Sequence, residues 1–179
     1  MIVYVLIAVG VILAMFLAIV ALQPADYRVS RSAAIKAPPA EVFAQVNDLR
    51  SMNAWSPWLE PDPQAKLSYD GPAAGTGALF SWDGNNHVGA GRLTIIDSRP
   101  NDLIRIKLDF LRPFASSADA EFTFKPEGDQ TVVTWTMTGR KIFLTKLFCL
   151  FMSMDKMIGG NFEKGLATMK SRVESLTPK

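Results

Sequence analysis

The stretch Ile104-Arg105-Ile106-Lys107-Leu108-Asp109-Phe110 alternates apolar and charged side chains without a break. Successive side chains of a strand point to opposite faces. This period of two therefore gives Ile104, Ile106, Leu108 and Phe110 one face and Arg105, Lys107 and Asp109 the other. The pattern continues downstream. Ala118, Ala120, Phe122 and Phe124 oppose Asp119, Glu121, Thr123 and Lys125, and Val133, Trp135 and Met137 alternate with Thr134, Thr136 and Thr138. Turn residues separate the runs: Pro100-Asn101, Arg112-Pro113, Glu127-Gly128-Asp129 and, upstream, Pro72 to Gly77 and Asp83-Gly84-Asn85-Asn86. Connections this short join antiparallel neighbours, because a parallel pair needs a crossover of a dozen or more residues. Lys66 to Gly139 thus reads as an antiparallel meander with one buried and one wet face.

Helices flank this meander. Tyr27 to Lys36 reads as a first strand, and Pro38-Pro39 opens a helix whose apolar face is Val42, Phe43, Val46 and Leu49. A turn-rich segment follows, in which Trp55 and Trp58 are expected to form a packed corner braced by Pro57 rather than a lid. At the other end, Leu147, Phe151, Met154, Ile158, Phe162, Leu166, Met169, Val173 and Leu176 recur every three or four residues. That spacing predicts one long amphipathic helix, with Gly159-Gly160 as the place for any kink. A helix laid across the concave face of a curved sheet encloses an apolar space. Ile142 to Met152, an apolar run interrupted only by Thr145 and Lys146, is expected to be buried core in preference to an interfacial patch.

The first 22 residues are different in kind. No charged side chain precedes Asp26, and Met1 to Leu22 is apolar apart from Gly10. At ~1.5 Å per residue such a helix reaches roughly 33 Å, enough to cross a ~30 Å hydrocarbon core. A cleaved signal peptide would want a basic start, a shorter apolar run and a better cleavage site. The expected organisation is therefore a transmembrane anchor over residues 1–23 and one domain over 24–179. Arg28, Arg31 and Lys36 follow the span, which inclines the domain towards the cytoplasmic side.

The composition excludes several classes of function. With 19 Lys+Arg against 17 Asp+Glu, the net charge of +2 is too small for a nucleic-acid binder. One Cys and one His cannot build a disulfide framework, a cysteine zinc site or a multi-histidine cluster. His87 is the first candidate acid or base, since histidine titrates near neutrality unaided, but its Gly84-Asn85-Asn86-His87 setting reads as a solvated turn. Ser56 and Ser81 have no argued histidine partner, and Cys149, inside Leu147-Phe148-Cys149-Leu150-Phe151, reads as packing. Gly75/Gly77 and Gly89/Gly91 lack the third glycine and following helix of a dinucleotide loop. No catalytic residue and no metal site is assigned.

The order of strand, short helices, meander and long C-terminal helix resembles the helix-grip fold of the SRPBCC (START-like) superfamily. The chain is similar to its polyketide cyclase/dehydrase-like branch at Ala37-Pro38-Pro39-Ala40-Glu41-Val42-Phe43, Trp55-Ser56-Pro57-Trp58, Gly75-Thr76-Gly77 and Ser81-Trp82-Asp83-Gly84-Asn85. Val88 to Gly91, Met154 to Gly159 and Phe162 to Leu166 extend the likeness. The resemblance implies an α+β fold, with a curved antiparallel sheet of about six to seven strands wrapped around the C-terminal helix. It also implies a deep cavity for an apolar or amphipathic molecule. Phe80, Trp82, Phe110, Phe122, Trp135, Met137, Met157 and Phe162 lie on elements that surround such a cavity and are the candidate ligand-binding residues. The expected partners are a hydrophobic small molecule or lipid and, through residues 1–22, a membrane, with no cofactor. The competing readings are a cyclase/dehydratase-like enzyme and an interaction module with a filled core.

Overall fold

The computed structural model of the chain describes residues 1–176. Helix α1 (Ile2–Leu22) leads into strand β1 (Asp26–Ile35), helices α2 (Pro39–Asn47) and α3 (Leu49–Asn53) and a 3-10 turn at Pro57–Leu59. Six strands follow: β2 (Lys66–Asp70), β3 (Leu79–Asp83), β4 (Ala90–Arg99), β5 (Leu103–Arg112), β6 (Ser116–Glu127) and β7 (Gln130–Arg140). Helices α4 (Phe143–Phe148) and α5 (Met154–Leu176) complete the order.

The seven strands form one antiparallel sheet in the order β1-β7-β6-β5-β4-β3-β2. The meander zips as its turns dictate, and β1 closes onto β7 from Asp26↔Arg140 to Ile35↔Thr131. Alternation translates directly into burial: Ile104, Ile106 and Leu108 are buried, while Arg105 and Lys107 face water. The wet face carries cross-strand pairs, among them Ser30–Thr136, Ser32–Thr134 and Arg105–Glu121. The other face curves around α5, which buries Phe162, Leu166, Met169 and Val173 against it.

The C-terminal stripe departs from expectation. It is two helices: Leu147 is only partly buried, Phe151 is exposed, and a new helix starts at Met154. Ser153 supplies the start: its Oγ accepts the Lys156 N–H, the side-chain capping that begins a helix. The expected core run over Ile142 to Met152 is also overturned, since α4 contains no buried residue. The concave face is covered by α5, and α4 lies at the edge of the space between them, where Thr145 and the preceding Ile142 border the cavity. Cys149 accordingly is half-buried at the end of α4 and not part of the core.

Gly159-Gly160 leaves α5 unbroken. A Cβ at Gly159 would collide with the Arg31 guanidinium. That guanidinium reaches Asp155 at 2.7 and 2.9 Å and Glu163 at 2.6 Å, fastening β1 along one side of α5. At the other end of the helix, Glu174 accepts the Lys36 backbone N–H at 2.8 Å.

Candidate ligand-binding site

Between the concave face and α5 lies a cavity of about 420 Å³, within the range of small-molecule sites. Phe80, Trp82, Leu93, Ile106, Leu108 and Phe110 wall it from β3 to β5, and Ala120, Trp135 and Met137 from β6 and β7. Met154, Met157 and Ile158 of α5 face them, with Leu49, Met52, Trp58 and Leu59 at the side.

Local sequence explains why the strands bend around this space. The β4–β5 ladder shifts register between Ala90 and Gly91 and again between Ile95 and Asp97. Such bulges increase twist and bend the strand. Gly91 lies opposite Trp82, and a Cβ there would come within 2.6 Å of the indole, so glycine makes room for the ring. Tyr69, Phe80, Trp82 and Phe110 then run as a chain of ring contacts 4.9–6.1 Å apart along one wall.

The middle of the interior is filled. Trp135 is sandwiched between Phe122 (5.0 Å) and Phe162 (3.9 Å), and Trp55 abuts Trp135 and Phe122 edge-on. The indoles of Trp55 and Trp82 donate to Gln45 O at 2.9 Å and Val88 O at 3.4 Å. Among the described residues, the buried Nε1 of Trp135 has no acceptor. A buried donor left this way costs about 1–3 kcal/mol.

Polar groups gather where the cavity reaches the surface. Tyr27, His87, Arg112, Ser116, Ser117, Arg140 and Lys141 all line it at the ends of strands or just beyond them. Arg112 pairs with Asp83 and also donates to Gly84 O at 3.2 Å. Burial pushes the Tyr27 phenol up from its ordinary value. Ser117 donates to Asp109, which together with Arg92 holds that carboxyl below the usual range.

Of the eight residues expected around the cavity, Phe80, Trp82, Phe110, Trp135, Met137 and Met157 line it, while Phe122 and Phe162 pack in the filled part. Trp55 is the packed corner that was expected. Trp58 departs from it, since its ring lines the cavity and meets Phe162 edge-on at 6.5 Å. His87 is exposed, as its turn implied, yet stands at the rim. The selection by aromatic and methionine character missed Leu93, Ile106 and Leu108. Alternation had already put Ile106 and Leu108 on the face of Phe110.

A model of the family described as polyketide cyclase / dehydrase and lipid transport matches residues 26–174. The chain belongs to the polyketide cyclase/dehydrase and lipid transport family. The match begins at β1 and runs nearly through α5, so it covers the sheet, the cavity and the helix that closes it. No curated protein sequence matches the chain. Solved structures share the fold of this family member at low identity. The crystal structure of Ara h 8.0201 is 9% identical with a TM-score of 0.58, covering 84% of this chain and 99% of that one. Protein CV1439 from Chromobacterium violaceum is 16% identical with a TM-score of 0.56, over 87% of this chain and 100% of that one. The di-domain ARO/CYC StfQ from the steffimycin biosynthetic pathway is 13% identical with a TM-score of 0.59, over 84% of this chain and 51% of its own. The helix-grip architecture expected from the sequence is thus shared by family and neighbours. Outside the family match, α1 is long and apolar enough to cross a membrane, a test that a signal sequence near the N-terminus also passes.

Proposed function

We propose that this protein is a membrane-anchored binder of one apolar or amphipathic small molecule, of the lipid or isoprenoid kind. Residues 1–23 serve as an uncleaved anchor and 24–179 as the binding domain, on the cytoplasmic side. The observation that carries the reading is the 420 Å³ cavity walled by Phe80, Trp82, Phe110, Met137 and Met157, with its charged groups at the rim. Burial of apolar surface drives the binding, at roughly 25 cal/mol per Å² before ordering costs. The open interior argues against an interaction module with a solid core. The family description also names cyclase and dehydrase chemistry. That second reading requires a polar cavity residue that orients a reactive substrate.

Photolabelling of the full chain in membranes with a diazirine-bearing fatty acid tests the binding. Adducts are expected on Met137, Met157 and Phe110 and are expected to fade under excess unlabelled oleate. Labelling confined to α1 would overturn the proposal.

A further inference from the structure

We infer that α4 and the turn after it form a bilayer-docking face beside the cavity mouth, seated in the headgroup region of the leaflet nearest the domain. This rests on the anchor reading above and adds to it a second, independent contact with the membrane.

The first observation is exposure. Phe143, Phe148 (57% exposed), Phe151 (83%) and Met152 project from α4 and its turn, Leu111 from the end of β5, and Phe114 (53%) from the β5–β6 connection. Clustered exposed apolar groups of this size mark interaction surfaces, whereas single ones need no explanation.

The second observation is topology. Strand β1 starts at Asp26, opposite Arg140 at the end of β7, and the β5–β6 connection lies at the same end of the sheet. Only Gln23-Pro24-Ala25 separates α1 from β1, and only Lys141-Ile142 separates β7 from α4. The end of α1, α4 and the β5–β6 connection are therefore all tethered to one edge. The end of α1 also touches α4: Val20 is fully buried, and Lys146 Nζ donates to Ala21 O at 2.8 Å.

The third observation is charge. Arg140, Lys141 and Lys146 surround the junction of α1 with the domain, and Asp26 pairs with Arg140 at 3.5 Å. Bulky apolar side chains beside lysine and arginine are the composition of segments that lie in an anionic interface. A soluble protein partner is a poorer fit, because α1 fixes this edge against the bilayer already.

The consequence concerns entry. Phe114, Ile142 and Thr145 belong both to this face and to the cavity lining. A ligand could then pass between leaflet and cavity without crossing water.

The test uses the full chain with Cys149→Ser and one introduced cysteine at a time: Leu13→Cys in α1, Phe148→Cys or Phe151→Cys in the proposed face, and Asp129→Cys at the opposite end. Each is labelled with an environment-sensitive nitrobenzoxadiazole and reconstituted into phosphatidylcholine/phosphatidylglycerol vesicles containing doxyl-labelled lipid. Labels at 148 and 151 are expected to lose at least half their emission to a shallow doxyl group. The label at 13 should respond most to a deep one, and the label at 129 to neither. Quenching at 13 without quenching at 148 and 151 would overturn the docking face and leave the anchor standing. No quenching at any of these three sites would overturn both. A blue shift at 148 and 151 without lipid quenching would mean a second copy covers the face, and would also overturn the inference.

Discussion

The space between sheet and α5 is aromatic throughout, yet its two halves are built to different ends. Around Trp135 the rings are stacked face on face, with Phe122 on one side and Phe162 on the other, and all three are almost completely buried. Towards the mouth, Phe80, Trp82 and Phe110 are in contact along a wall and face empty space. The same helix serves both: Met154, Met157 and Ile158 line the hollow half, while Phe162, Leu166, Met169 and Val173 plug the filled one. Residue type alone does not separate core from site in this fold. Position along α5 does.

If that division is right, truncation should cost stability in one half and much less in the other. Phe122→Ala removes a fully buried ring that stacks on Trp135 and meets Trp55 edge-on, and is expected to destabilise by about 3–5 kcal/mol. Phe110→Ala, at the half-empty wall, is expected to cost about 1 kcal/mol. Denaturant unfolding of the full chain in detergent, followed by circular dichroism, measures both. Equal costs would erase the distinction.

Filling is the complementary perturbation. Ala120 lines the cavity opposite Met137 in the β6–β7 ladder, so Ala120→Phe places a ring in open space. Fatty-acid photolabelling is expected to fall at least tenfold, which is about 1.4 kcal/mol of binding. Stability should change by less than the 1–3 kcal/mol typical of an overpacked core.

The smallest expected effect is electrostatic and concerns both ends of α5. Arg31 holds the Asp155 carboxyl below its ordinary range, and the Lys36 backbone N–H does the same for Glu174. Folding therefore releases protons from these groups at acidic pH. Their contribution is complete above the unfolded carboxylate values of about 4 and is lost as pH falls through the lower folded values. The melting temperature should decline over that acidic window. Arg31→Gln should flatten the decline, since it removes the partner of Asp155, and leave the Glu174 part in place.

What could be read in the sequence was the part governed by local periodicity. Ile104 to Phe110 announces a strand and its buried face because alternation needs no partner to be visible. What could not be read depends on contacts distant in sequence. Phe110 and Phe122 both point inward from adjacent strands, and nothing local says that Phe122 stacks in the filled part while Phe110 borders the cavity. The apolar phase running from Leu147 to Leu176 likewise conceals that it is split between α4, with no buried residue, and α5, which Ser153 starts afresh. Leu93 entered the site through sheet curvature, set partly by the bulges of β4 and the ring-sized gap at Gly91, and Trp58 entered it from the 3-10 turn, where it meets Phe162.

The central claim is that the hollow half holds one small apolar molecule. Native mass spectrometry of the full chain released from detergent micelles, with Ala120→Phe alongside, tests it most directly. The account predicts a single bound molecule of lipid or isoprenoid mass on the wild-type chain and a bare chain for the variant. A bare wild-type chain, or the same adduct on both proteins, would contradict it.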